Sequence, residues 1–155
     1  MGEIDLLLRI FDAAYSKRSW HGTNLRGSLR GMTAQEAMWR PSPGRHNAWE
    51  LMLHAAYWKY IVRRRLLGSD RGSFALKGSD WFDREGSLEE EQWKQELEIL
   101  ENEHRALRQA IAELSPADLT VFVRGSKNDN ATMIYGVAAH DLYHAGQIQL
   151  IKRLR

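Results

Sequence analysis

The chain has 155 residues, of which 43% are hydrophobic and 27% are charged, and none is cysteine. This length predicts one domain with a substantial core over residues 1–155, and the lack of cysteine excludes disulfides, thiolate ligands and a thiol nucleophile. The formal net charge of +2 is too small to indicate a nucleic-acid partner without a clustered basic patch.

The first two predicted helices carry apolar residues at helical spacing. The first covers about residues 2–17. The second begins at residue 46 or 47 and continues to about residue 67, since prolines precede it and Gly68 can end it. Its apolar stripe includes or adjoins His54, so this imidazole is expected on the core side of the helix.

The third predicted helix has the clearest pattern. Ser87 and Glu90 have the spacing of a capping box, and Ser115-Pro116 ends the segment. Between these signals, apolar positions alternate at spacings of four and three, which is typical of a seam for packing in a helix bundle. The seam consists of Trp93, Leu97, Leu100, His104, Leu107, Ile111 and Leu114.

The fourth predicted helix begins at residue 129 or 130 and ends at residue 154. Gly136 and Gly146 lie inside it at a cost of about 1 kcal/mol each relative to alanine. We interpret them as points where another helix approaches closely, with local irregularity of the helix as the alternative. The apolar stripe of this helix includes two histidines and consists of Met133, Val137, His140, His144, Ile148 and Ile151.

The connections between these helices are uneven in length. About thirty residues separate the first helix from the second and about twenty separate the second from the third, which permits crossovers and leaves the helix order in space open. Only Thr120–Val123 resembles a strand, and it is too short to form a sheet. The pattern predicts an all-α protein.

Two features of the sequence indicate the cellular location of the protein. No run of eighteen apolar residues occurs, so we expect no membrane-spanning segment and no membrane partner. The segment Met1–Asp5 is acidic and lacks the basic and apolar regions of a signal peptide. We therefore expect a cytoplasmic protein.

The histidines are the strongest candidates for chemistry. His140 and His144 lie one turn apart on one helix face, and His54 could add a third nitrogen from a facing helix. Three histidines around an open position are typical of catalytic rather than structural zinc. We hypothesise a metal site at these residues, with zinc, nickel, copper and ferrous iron as candidates. The alternative is that they are surface or hydrogen-bonded core histidines.

Other residues near this hypothetical site have weaker signals. Glu50, Asp141 and Gln147 are candidates to bond the second ring nitrogens of the ligands. His104 could approach the site from a third side, but a core histidine is the favoured interpretation. No ligand role is assigned to the remaining two histidines. The aromatic residues close to the ligands in sequence are either core or pocket wall; they are Tyr57, Trp58, Tyr60 and Tyr143.

Two basic clusters argue little for nucleic acid. Arg63–Arg65 and residues 152–155 lie at predicted helix C-termini. Positive charge there complements the helix dipole and needs no partner. We therefore favour that interpretation over nucleic-acid binding.

Two motifs resemble those of a known family. Residues 43–59 (PGRHNAWELMLHAAYWK) and 136–148 (GVAAHDLYHAGQI) resemble the second-helix and last-helix motifs of the DinB/YfiT-like proteins. Trp20-His21-Gly22 and Trp39-Arg40-Pro41 fit one branch of that family. The resemblance covers nearly the whole chain and implies a four-helix bundle, usually dimeric. It also implies a metal held by three histidines, which by position are His54, His140 and His144.

The resemblance also implies a range of functions. Members are described as metal-dependent enzymes, and some related proteins use bacillithiol, mycothiol or glutathione. We therefore expect a hydrolase or a thiol S-transferase of unknown substrate, a likewise unidentified catalytic acid or base, and a homodimer. Zinc or nickel is the first expectation, with iron or manganese as alternatives. The rival hypotheses are a non-catalytic metal- or small-ligand-binding module and a helical scaffold with structural histidines.

Overall fold

The computed structural model describes residues 1–86 and 89–155. These residues form an all-helical fold, as predicted. Their helices are α1 (Glu3–Tyr15), α2 (Leu25–Leu29), α3 (Ala34–Met38), α4 (Ala48–Leu66), α5 (Glu90–Ala112) and α6 (Asn130–Leu154), with a 3-10 helix at Pro116–Thr120. Within the described ranges, the β-type pairing consists of one isolated bridge between Phe122 and Asp129. The strand-like segment that we noted therefore builds no sheet.

The four long helices pack against one another in pairs. Helix α4 contacts α5 and α6, and α1 contacts the same two helices. Their buried faces form two apolar clusters. One surrounds Trp49, Trp93 and Leu100, and the other surrounds Phe11, Leu107 and Ile134. The seam predicted on the third helix packs here, because its central positions from Leu100 to Ile111 are buried.

Helix α4 is fixed at both ends by local signals. The Asn47 side chain accepts a hydrogen bond from the backbone N–H of Glu50 at 2.9 Å, which caps the first turn. Gly68 has φ of +64° just beyond the helix, a conformation that glycine adopts without steric cost. These two boundaries agree with the predicted ones.

The short helices α2 and α3 were not predicted. Asn24 caps α2 by accepting from the N–H of Gly27 at 3.0 Å, and Thr33 forms a capping box with Glu36 at the start of α3. The Thr-x-x-Glu spacing is a recognisable signal for such a start. The capping box that we predicted for the third helix includes Ser87, which lies outside the described residues.

The interpretation of the two glycines in α6 was wrong. A Cβ atom added at Gly136 or Gly146 would meet nothing within 4 Å, so neither marks a close helix contact. Gly146 is exposed, and half-buried Gly136 lines a cavity beside Trp58 of α4. No helix in the described part of the chain has both the length and the apolar character needed to cross a membrane.

Candidate metal centre

Three histidines from two helices meet at one point. His54 comes from α4, and His140 and His144 come from successive turns of α6. The Nε2 atom of His140 lies 3.1 Å from that of His54 and 2.9 Å from that of His144. One nitrogen from each ring lies within 4.8 Å of the other two, so the group could hold a metal ion. The structure thus brings together all three residues predicted for the site.

Hydrogen bonds on the far side of two rings define their tautomers. His54 Nδ1 lies 2.9 Å from the backbone oxygen of Asp80. A carbonyl oxygen can only accept, so this nitrogen carries the proton. His144 Nδ1 pairs in the same way with Oε1 of Gln147. The Nε2 atoms of both rings are therefore left with lone pairs directed toward His140.

His140 completes a donor set that suits a cation. Its Nε2 can donate one proton at most, yet two lone pairs face it, and its buried Nδ1 has no partner among the described residues. In the Nδ1-protonated tautomer, three lone pairs converge. A tetrahedral zinc ion with Zn–N bonds of 2.0–2.1 Å separates its ligand nitrogens by about 3.3 Å. That spacing is close to the two observed distances, so the residues fit a metal ion.

Burial keeps these imidazoles neutral. It lowers the pKa of His140 to about 3 and that of His144 to about 4, with the neighbouring histidines adding to the effect at each ring. Burial also lowers the pKa of His54, although the hydrogen bond to Asp80 opposes this change. A neutral imidazole is the form that binds a metal, so less proton competition has to be overcome at neutral pH.

The connection between α4 and α5 holds His54 in place. Asp80 has φ of 63°, and it alone among the described non-glycine residues has a positive φ. Its carboxylate accepts a hydrogen bond from Trp58 Nε1 at 2.8 Å and lies 3.1 Å from His54 Nδ1. The next residue, Trp81, stacks on the His54 ring with centroids 3.8 Å apart and planes 8° apart.

Comparison with known proteins identifies the family of this chain. A family model for the DinB superfamily matches residues 18–148. The chain belongs to the DinB superfamily. No curated protein and no solved structure matched it. The matched range includes α2 to α5 and most of α6, and with them all three histidines of the group.

The three expected orienting residues have different roles in this DinB superfamily chain. Gln147 contacts His144 as expected. Glu50 instead accepts from Arg40 and from the Arg84 backbone. Asp141 pairs with Lys59, and both side chains are fully buried. Sequence reasoning missed Asp80 and Trp81. Their only local signal was the turn-forming Gly-Ser-Asp run that precedes the tryptophan.

The remaining histidines lie outside the group. His104 is buried and stacks on Phe11 and Tyr15, with centroid distances of 4.4 and 3.6 Å, so it is a core residue as we favoured. His46 stacks on Trp81 at 3.6 Å and bonds Glu50 through Nδ1 at 3.0 Å. His21 is exposed in the loop before α2.

Two cavities flank the three histidines of this DinB superfamily member. The first, of about 230 Å³, is bounded by Trp58, Met133 and His140. The second, of about 450 Å³, is bounded by Trp81, Tyr143 and His144. Of the four aromatic residues considered from the sequence, Trp58 and Tyr143 line these cavities. Tyr57 and Tyr60 line a separate pocket beside Phe74.

Proposed function

We propose that the chain is a divalent-metal-binding protein in which His54, His140 and His144 hold the ion through Nε2. The proposal includes a single domain in which α1, α4, α5 and α6 form a four-helix bundle of the DinB/YfiT-like type. The observation that carries it is the convergence of three Nε2 atoms, two of them on rings whose Nδ1 is bonded on the opposite side. Imidazole ligands favour zinc or nickel, with iron or manganese as alternatives.

We infer that the protein is a metal-dependent enzyme, either a hydrolase or a thiol S-transferase. A bound metal supplies Lewis acidity, or lowers the pKa of a coordinated water or thiol. Three protein ligands leave a coordination position for such a group. The three ligands are neutral, so they leave the positive charge of the ion uncompensated. The flanking cavities give a small substrate two routes to the histidines.

One observation favours the alternative, a non-catalytic metal- or small-ligand-binding module. The carboxylates nearest to the histidines in sequence or space are already engaged by other groups. Asp80 accepts from Trp58, and Asp141 pairs with Lys59. Glu50 accepts from Arg40. Among the described residues, none of these three carboxylates is therefore free to serve as a general acid or base, which a hydrolase commonly needs.

The ligand assignment is tested by His140→Ala. The substitution removes one of the three ligands. After loading with zinc or nickel and gel filtration, the variant should therefore no longer retain stoichiometric metal, as measured by elemental analysis. His46→Ala serves as the matched control, because His46 contacts Trp81 but is not part of the group. Circular dichroism should show helical folding in both variants. Undiminished metal in the His140 variant would contradict the assignment.

A second experiment separates an enzyme from a binding module. The metal-loaded protein is assayed with an activated ester, and with glutathione plus an aryl halide. Turnover that is lost in His140→Ala supports the enzyme. Stoichiometric metal without turnover in such a screen favours the binding module.

A further inference from the structure

The larger of the two cavities beside the three histidines is a groove that leads to His144. One wall is the C-terminal half of α6, and the other is the segment just before α4. Trp81 and His144 bound its inner end. From His144 to Leu154 the helix rises about 15 Å, and the groove volume of about 450 Å³ lies in the range of small-molecule sites. The groove is therefore large enough for an organic ligand that reaches from solvent to His144.

The two walls differ in chemical character. The α6 wall is polar at His144 and Gln147 and apolar in its last turns, where Leu150, Ile151 and Leu154 line the groove. Leu150 is 59% exposed and Leu154 is 57% exposed. Such accessible leucines favour an apolar ligand surface, since covering them removes hydrocarbon from water.

The other wall supplies positive charge. Arg45 is exposed there, and no ion pair of its guanidinium occurs among the described residues. Arg40 and Arg84, by contrast, are paired with Glu50 and Glu96. No aspartate or glutamate is among the described residues that line the groove. An acidic group entering the groove thus meets an unneutralised cation and no like charge.

We propose that this groove binds a small amphipathic carboxylate, with its acidic group at Arg45 and its apolar body along Leu150, Ile151 and Leu154. A guanidinium matches a carboxylate through two parallel hydrogen bonds, which favours this acid over a neutral polar group. The inference deepens the proposed function by naming its ligand class. It rests on that function only for the role of the groove as the approach to the metal.

The test uses octanoate as the probe and octan-1-ol as its neutral counterpart, with dissociation constants measured by calorimetry on the metal-free protein. Arg45→Gln should weaken octanoate binding roughly tenfold, the equivalent of about 1.4 kcal/mol, and leave octan-1-ol binding unchanged. Arg65→Gln is the matched control. It removes the same charge at the opposite end of α4, where Arg65 lines a different pocket, and it should bind octanoate like the wild type.

The apolar wall is tested by Leu150→Asn, which should weaken both probes. Added salt should weaken octanoate binding to the wild type more than to Arg45→Gln, because the ion pair is screened. Equal loss of octanoate binding in the Arg45 and Arg65 variants would overturn the role of Arg45. No octanoate binding to the wild type, with or without zinc, would overturn the ligand class.

Failure of this inference is distinguishable from failure of the proposed function. Zinc stoichiometry is measured on the same samples, and Arg45→Gln should retain it because Arg45 is not among the three histidines. Zinc binding without octanoate binding would contradict the carboxylate groove alone. Octanoate binding that depends on Arg45, without zinc binding, would contradict the metal site alone.

Discussion

Asp80 holds a left-handed backbone conformation, with φ of 63°, beside the three histidines. This conformation costs most side chains about 1–2 kcal/mol and costs aspartate less, because its short polar side chain can bond locally. Here the conformation accompanies two contacts. The backbone oxygen faces His54 at 2.9 Å, and the carboxylate bonds Trp58 at 2.8 Å. Asp80 is therefore a positioning residue for His54.

Replacing Asp80 tests that role. Asp80→Ala removes the bond to Trp58 and disfavours the left-handed backbone, so we expect zinc affinity to fall about tenfold. Asp80→Asn keeps an accepting oxygen and tolerates this backbone, so it should retain most of the affinity. The measurement is competition with a chromophoric chelator, with Asp83→Ala, an exposed position in the same connection, as control. Wild-type zinc affinity in Asp80→Ala would rule out the positioning role.

The sequence identified the three histidines and Gln147, which bonds His144, but not Asp80 and Trp81, which contact His54. His140 and His144 are predictable because helical spacing places them on one face. His54 is predictable because it lies on or beside an apolar stripe, and the DinB/YfiT resemblance gives the same three residues. Asp80 contacts His54 across 26 positions of the chain, from a connection without periodicity. The prediction that Glu50 and Asp141 bond the rings of these three histidines was wrong, because they pair with the cations of Arg40 and Lys59 instead.

At the scale of elements, the long helices were predictable and the short ones were not. A helix such as α5 repeats its apolar seam over several turns, so its period is readable. Helices α2 and α3 have five residues each, which is less than two turns and too few to establish a period. Their capping residues, Asn24 and Thr33, were the only local signals.

The two glycines of α6 lead to a prediction about this helix. Gly146 is exposed, and a Cβ there would meet nothing within 4 Å. Gly146→Ala should therefore raise the free energy of unfolding by up to about 1 kcal/mol, since alanine loses less backbone entropy on folding. Urea denaturation measures the change.

Gly68→Ala provides the opposite result for comparison. Gly68 has φ of +64° after α4, so alanine there should lower the free energy of unfolding by about 1 kcal/mol. A destabilised Gly146→Ala variant would show that this position needs glycine for a contact beyond the described chain.

At the scale of the whole molecule, the core contains titratable groups. His104 belongs to α5, and its ring stacks on Phe11 and Tyr15 of α1. Burial lowers its pKa to about 2, and the charges of Lys59 and Arg108 add to the effect. Asp12 faces its Nε2 at 4.0 Å.

The homodimer expected from the family resemblance stays a prediction.

The low pKa of His104 predicts how stability depends on pH. The folded protein keeps this ring neutral, whereas the unfolded chain binds a proton below its ordinary pKa of 6.5. Its contribution to stability is therefore complete above pH 6.5 and is lost as the pH falls toward 2. Between pH 7.5 and 5.5 the loss from this group is about 1 kcal/mol.

His104→Phe should reduce the pH dependence by that amount, because a phenyl ring keeps the stack but binds no proton. Urea unfolding at pH 7.5 and 5.5, with a chelator present, gives the comparison. His21→Asn, at an exposed loop position, should keep the wild-type difference. An unchanged difference in His104→Phe would show that this ring does not set the acid sensitivity.

The buried pair of Lys59 and Asp141 has a consequence for the alignment of α4 with α6. Lys59 lies on the same helix as His54, and Asp141 directly follows His140. A slide of one helix past the other by one turn, about 5.4 Å, would separate the two charges and leave each unpaired in the apolar core. Breaking a buried pair costs about 3–5 kcal/mol. The pair therefore fixes the register in which the three imidazoles meet. Substitutions of residues in the cavity walls leave this register, and hence the position of the histidine group, unchanged.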